Sequence, residues 1–207
     1  MKKVYIEHSS PEYRALFFAL GFKIVESETQ ADLICFTGGA DVSPSLYGAD
    51  MHPQTWSDVD RDSYEVRLFA WAQSQKVPMV GICRGGQFLN VMSGGAMYQH
   101  VSEHGRAHPI TDLKTGEVFY VTSTHHQMMK PGIGHELVAT SKLYGKREWY
   151  EGEVFKKDIS EEDIEVVWYS ASRCLCFQPH PEMYQGNEGF YPMRTYFRSL
   201  LQRYIGV

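Results

Sequence analysis

At 207 residues the chain is the length of one large domain, which excludes a peptide hormone, a zipper or a disulfide knot. Hydrophobic residues at 43%, charged residues at 22%, and 18 Gly with 9 Pro exclude disordered, collagen-like and low-complexity classes. A net charge of −5 offers no basic footprint for nucleic acid or an anionic membrane, so a small-molecule substrate is expected.

Val4 to Ile6 reads as a short buried strand, and Ser10-Pro11 then supplies an N-cap and a first-turn proline. The helix that follows carries Tyr13, Leu16, Phe17 and Leu20 at helical spacing, with Gly21 placed for a left-handed C-cap. Lys23 to Val25 and Asp32 to Phe36 read as strands, the second running into Thr37-Gly38-Gly39. Residues 40–59, with Pro44, Gly48 and Pro53, form a long loop expected near a functional site. Asp62-x-x-Glu65 is a candidate capping pair for a helix whose face carries Tyr64, Leu68, Trp71 and Ala72. Val77 to Ile82 is a buried strand, and Arg84 to Met92 a helix ended by Gly94-Gly95. Short strands follow at Val118 to Thr122, Glu136 to Ala139, Ile164 to Tyr169 and Cys174 to Phe177. A last helix starts near Pro192 and carries Met193, Tyr196, Phe197, Leu200, Leu201 and Tyr204 on one stripe. Residues 141–163, dense in Lys, Arg, Glu and Asp, read as an exposed insertion within one domain spanning 1–207.

This alternation predicts an α/β fold with a doubly wound, mostly parallel sheet, helices on both faces and a few extra short strands. The N-terminus lacks a signal-peptide pattern, and no run approaches the ~18 consecutive apolar residues of a membrane span. A cytoplasmic protein with no membrane partner is expected. Of the cysteines, Cys35, Cys83, Cys174 and Cys176, no spacing suggests a disulfide framework, and context singles out one as reactive.

Gly81-Ile82-Cys83-Arg84-Gly85 is a G-x-C-x-G turn between a predicted strand and a predicted helix, the cysteine form of a nucleophile elbow. The turn places Cys83 at a helix N-terminus, where the dipole favours thiolate over thiol. Gln178-Pro179-His180-Pro181-Glu182 supplies a base. Two prolines should hold this segment extended, so that side chains at i and i+2 share a side and Glu182 steadies the His180 imidazole. Cys83, His180 and Glu182 thus follow the logic of a nucleophile, base and orienter triad. Thr37-Gly38-Gly39 lets a backbone N–H point outward, and Gly39 with Arg84 would provide the two donors of an oxyanion hole. His100, His104 and His108 recur every four residues, but Gly105 and Pro109 interrupt a helix there. The chemistry requires no metal and no cofactor.

These residues resemble the class I glutamine amidotransferase superfamily, a flavodoxin-like fold, and within it the gamma-glutamyl hydrolase branch that includes gamma-glutamyl-gamma-aminobutyrate hydrolases. The likeness is carried by Gly81 to Gln87 with Phe88-Leu89-Asn90-Val91 and Gly94 to Gln99, and by the glycine block Gly38 to Gly48. Asp60-Arg61-Asp62 with Glu65, Ser123-Thr124-His125-His126-Gln127, and Gln178 to Glu182 complete five blocks in order. The resemblance implies a cysteine hydrolase acting through a glutamyl thioester, with Cys83 as nucleophile, His180 as base, Glu182 as its partner, and Gly39 and Arg84 as oxyanion donors. It also implies that Gln87 contacts the glutamyl group and that Ser123 and His126 line the same pocket.

Two departures stand out: Pro179 replaces the usual aromatic residue before the base, and the charged stretch around Lys142 to Asp158 replaces the branch's Asp-Gly-x-x-Glu block. The expected substrate is a gamma-glutamyl amide or glutamine. The alternative is a glutaminase subunit feeding ammonia to a separate synthetase chain, and a non-catalytic relative that keeps the fold is the third reading. A homodimer is compatible with all three.

Overall fold

The computed structural model describes residues 1–183 and 191–207, with the Tyr191 side chain excepted. In chain order the elements are β1 (Lys3–Ile6), α1 (Pro11–Ala19), β2 (Lys23–Val25), β3 (Leu33–Phe36), α2 (Val59–Gln75), β4 (Met79–Ile82) and α3 (Arg84–Met92). These are followed by β5 (Ala96–Tyr98), β6 (His100–Val101), β7 (His108–Asp112), β8 (Val118–Val121), β9 (Met128–Lys130) and β10 (His135–Ser141). The remainder comprises β11 (Lys146–Glu151), β12 (Val154–Ile159), β13 (Asp163–Tyr169), β14 (Cys174–Phe177) and α4 (Tyr191–Leu200), which continues as a π-helical turn at Leu201–Ile205.

The main sheet has nine strands in the order β2-β1-β3-β4-β14-β13-β10-β7-β8. The first five run parallel, as a doubly wound flavodoxin-like sheet requires, whereas β13, β10, β7 and β8 extend it by antiparallel pairing. Alternation along each strand sends side chains to two cores. Leu33, Cys35, Val80, Ile82, Leu175 and Phe177 pack against α1 and α4, while Ile34, Phe36, Met79, Cys174 and Cys176 pack against α2 and α3. Helices on both faces bury the parallel strands completely, which is why β3, β4 and β14 are apolar throughout apart from Gly81.

The terminal stripe folds as expected, with Met193, Tyr196, Phe197, Leu200 and Leu201 buried. Gly21 takes φ +87° one residue past the α1 C-cap. Two cap expectations differ. Ser10 occupies the α1 N-cap position but gives its hydroxyl to Glu12 rather than capping an amide. The α2 N-cap is Asp58, whose Oδ1 accepts from Arg61 N at 3.0 Å, so Asp62 and Glu65 lie inside the helix and serve another purpose.

The charged stretch 141–163 is a structured hairpin: β11 pairs with β12 and, on its other side, with β6. Its outer strand β12 is exposed along its whole length, whereas Trp149 of β11 is buried. Among the described residues, no helix is long and apolar enough to cross a membrane.

Candidate active site

β4 is flanked in the sheet by β3 and β14, so the segments leaving the carboxyl ends of these three parallel strands meet. The middle segment is the elbow. Cys83 has φ 53° and ψ −114°, a strained conformation for a residue with a side chain, and its N–H donates to Phe177 O at 2.8 Å. The flanking glycines are required by close approach: a Cβ on Gly81 would collide with the Gly85 backbone, and one on Gly85 with the Phe36 carbonyl. Backbone contact on both sides thus holds Cys83 at the start of α3.

The segment after β14 brings up His180. Its Nδ1 donates to Glu182 Oε1 at 2.6 Å. The pairing expected from an extended Pro-flanked segment arises instead from a turn, in which Met183 N–H reaches the His180 carbonyl at 3.2 Å. Thr122 Oγ1 braces that turn, donating to His180 O at 3.0 Å. Burial works against charge on the imidazole, but the opposite charge at Cys83, together with the hydrogen-bonded Glu182 carboxylate, outweighs burial and pushes His180 up to about 10. The arrangement is a thiol, an imidazole and a carboxylate in series.

The two side chains open onto a pocket of about 280 Å³, which Gly39, Arg84, Gln87 and His126 also line. Arg84 is the first residue of α3, so its amide has no intrahelical partner. Gln87 gives Nε2 to Gln127 O at 3.1 Å and Gln178 Oε1 at 3.2 Å, which leaves its carbonyl oxygen for a ligand. His126 Nε2 lies 3.2 Å from Asp41 Oδ1, and that hydrogen bond raises the His126 pKa against partial burial. Ser123 departs from the expectation: it does not line the pocket, because its hydroxyl donates to the His104 carbonyl.

The charged block forms a buried network below the pocket floor. Arg84 is paired with Asp62 and Glu65, and Arg61 with Glu65 at 2.8 Å and Glu7 at 3.1 Å. Burial and the neighbouring Arg61 pull the Arg84 pKa down to about 10, which still leaves it cationic at neutral pH. Asp62 and Glu65 are therefore ion-pair partners, spaced i and i+3 so that both face α3.

A profile of the peptidase C26 family matches residues 23–130, just over half of the chain. The chain belongs to the peptidase C26 family. PB2B2.05 of Schizosaccharomyces pombe, a glutamine amidotransferase candidate, is 46% identical over 103 residues, which is 49% of this chain and 39% of that protein. A glutamine amidotransferase-like YvdE homolog of Lactococcus lactis subsp. cremoris is 34% identical over 120 residues, 48% of this chain and 64% of its own. The carbamoyl phosphate synthase small chain of Helicobacter acinonychis is 27% identical over 62% of this chain and 30% of that one. The chain therefore spans less than two thirds of each of these relatives. Among solved structures, SMU.1228c aligns at TM-score 0.64 and 14% identity over 99% of this chain and 100% of its own. PurLQS from Thermotoga maritima aligns at TM-score 0.59 and 17% identity, over 97% and 98% of the two chains. Both share the fold.

Several pocket residues of this C26 chain escaped the sequence reading of the site. Thr124 Oγ1 lies 3.0 Å from His180 Nε2, and Asp41, Trp56, His125 and Gln127 also line the pocket. The loop 40–59 is pinned there by Asp41 N to Trp56 O at 2.8 Å and Trp56 N to Asp41 Oδ2 at 2.9 Å. Its Pro and Gly content and the glycine block up to Gly48 pointed to the loop, but not to these side chains.

The four-residue histidine repeat makes no helical face. His100 lies in β6 and His108 in β7. His104 and His108 instead alternate with carboxylates in the interior: Asp163 Oδ2 is 3.6 Å from His104 Nε2, and Glu165 Oε1 is 3.0 Å from His108 Nε2. Among the described residues, the tightest His and carboxylate group is Glu7, His8 and Glu65, whose carboxylates already face Arg61 and Arg84.

Proposed function

We propose that the chain hydrolyses a gamma-glutamyl amide bond. The observation that carries this reading is that Cys83, strained at the elbow, lines one pocket with His180, whose imidazole is hydrogen-bonded to Glu182. His180 holds the Cys83 proton, and the sulfur attacks the gamma-carbonyl carbon. The carbonyl oxygen becomes an oxyanion between the Gly39 and Arg84 amides. As the C–N bond breaks, His180 gives its proton to the departing amine. Water, losing a proton to His180, then attacks the thioester carbon and releases glutamate, and the sulfur leaves as thiolate. Gln87 offers its carbonyl oxygen to the glutamyl group, and His126 with Asp41 forms a polar wall on the same side. The site comprises groups from one domain, and the reading places it in a reducing cytoplasm where the thiol persists.

A panel of gamma-glutamyl amides and free glutamine, assayed for glutamate release by wild-type and Cys83→Ala protein, tests the reading. Release by the wild type alone supports it, and release by both overturns it.

A second reading is a glutaminase subunit working with a separate synthetase chain. It is favoured by similarity to a carbamoyl phosphate synthase small chain and by the fold shared with PurLQS. Glutamine hydrolysis that appears only with a partner chain would select it. Hydrolysis of other gamma-glutamyl amides by the isolated chain would select the first.

A further inference from the structure

We infer that Arg61 is a positioning residue: it locks the Gly38–Gly39 peptide with the Gly39 N–H aimed into the pocket. This rests on the reading of Gly39 as an oxyanion donor.

The Gly38–Gly39 peptide lies between two glycines. Reversing it requires only coupled changes in ψ of Gly38 and φ of Gly39, and neither residue has a Cβ to oppose them. A reversed peptide would be worse than a missing donor, because it would turn the Gly38 carbonyl, a negative dipole end, toward the forming oxyanion.

Arg61 prevents this from below. Its Nη1 donates to Gly38 O at 2.9 Å, and its Nη2 donates to Thr37 O at 3.0 Å. A trans peptide holds C=O and N–H on opposite sides, so with the Gly38 carbonyl on Arg61 the Gly39 N–H must face away from it. That side is the pocket, which Gly39 lines. The preceding peptide is held the same way: its carbonyl, Thr37 O, is on Arg61, and its amide, Gly38 N–H, donates to the Tyr13 hydroxyl at 2.9 Å.

The guanidinium itself is immobilised by Nε to Glu65 Oε1 at 2.8 Å and Nη2 to Glu7 Oε2 at 3.1 Å. Both carboxylates are fully buried. Gly39, at φ +150°, has no space for a Cβ because the Arg61 guanidinium occupies that position. The buried network thus does more than balance charge. Glu65 bridges Arg61 to Arg84, so one carboxylate connects the supports of both expected oxyanion donors.

The test uses full-length wild-type and Arg61→Lys protein, with three readouts. Lysine keeps the charge but has one nitrogen, which cannot hold the Thr37 and Gly38 carbonyls and both carboxylates in the guanidinium's fork geometry. The crystal structure of Arg61→Lys should show the 38–39 peptide reversed or in two orientations. Turnover of L-gamma-glutamyl-p-nitroanilide should fall about 100-fold in kcat with KM within about 3-fold, as for loss of one oxyanion donor. Alkylation of Cys83 by iodoacetamide, which forms no oxyanion, should stay within about 2-fold of wild type on the same physical grounds. If Arg61→Lys does not fold, Arg61→Gln, which retains one donor for the Gly38 carbonyl, takes its place with the same readouts.

An unreversed peptide together with a kcat loss below about 3-fold overturns the inference, since an oxyanion donor is worth far more. A wild type that leaves the anilide intact would fault the gamma-glutamyl reading, and the peptide orientation in the variant would still decide the role of Arg61.

Discussion

The elbow between β4 and α3 and the β11–β12 hairpin are built on opposite terms. At the elbow every residue from Met79 to Val91 is buried, and glycines 81 and 85 touch backbone so closely that one added carbon would not fit. In the hairpin, β12 is exposed at all six positions and is held by cross-strand pairs such as Arg147 Nε to Asp158 Oδ1 at 2.7 Å. The strained Cys83 backbone needs over-determination by surrounding packing, whereas an exposed ribbon needs only backbone pairing and tolerates exchange of its side chains. The departure of the 142–158 stretch from the resembling branch falls in the permissive region.

The largest effect should come from the elbow. Cys83→Ala should reduce glutamate release to background and also lower the His180 titration midpoint, read by NMR of the imidazole, because the opposing charge that raises it is gone. A midpoint that stays near 10 would break the coupling of the two groups. The folded value lies above the ordinary 6.5, so this coupling adds stability that is complete below about pH 6.5 and is lost as pH rises toward 10. Wild-type unfolding followed over that window should show the loss, and Cys83→Ala, which keeps only the Glu182 contribution, should show a smaller one.

Glu182→Gln should cost on the order of 10³- to 10⁴-fold in kcat, since a carboxylate that sets the imidazole tautomer has that value in serine triads. A loss under tenfold would leave Glu182 as a mere neighbour. Phe177, buried under the elbow with its ring 5.0 Å from Phe197, should destabilise the protein by about 3–5 kcal/mol when replaced by alanine, measured by urea unfolding. At the other end of the scale, Ile159→Lys on the exposed face of β12 should change stability by less than about 0.5 kcal/mol. A larger change would show that the hairpin is as constrained as the elbow and remove the contrast.

How much could be read in advance divides along the same line. The strand–turn–helix from Val77 to Met92 is a local signal, because an apolar run, a glycine-framed turn and a 3.6-residue period all lie within a few residues of one another. The hairpin carried mixed charge without apolar alternation, so its sequence signalled exposure but not strands. The capping expectation at Asp62 and Glu65 failed for a related reason: a carboxylate near a helix start has the same local appearance whether it caps an amide or pairs with a distant arginine. Ser123 opens a motif whose next four residues, Thr124 to Gln127, all line the pocket, while its own hydroxyl is turned to the His104 carbonyl, a placement that no local pattern encodes.

The sequence by itself determined the strand–turn–helix elbow at Cys83 and the α/β class, since these follow from periodicity and turn chemistry over short spans, and the resemblance supplied the five ordered blocks. Tertiary structure alone decided that β3 and β14 flank β4, bringing Gly39 and His180 to Cys83 from 44 positions before it and 97 after. It also decided that Arg61 reaches back 23 residues to hold the Gly38 carbonyl. Strand neighbours are selected by which faces bury together once the whole sheet forms, and no short-range pattern encodes that choice.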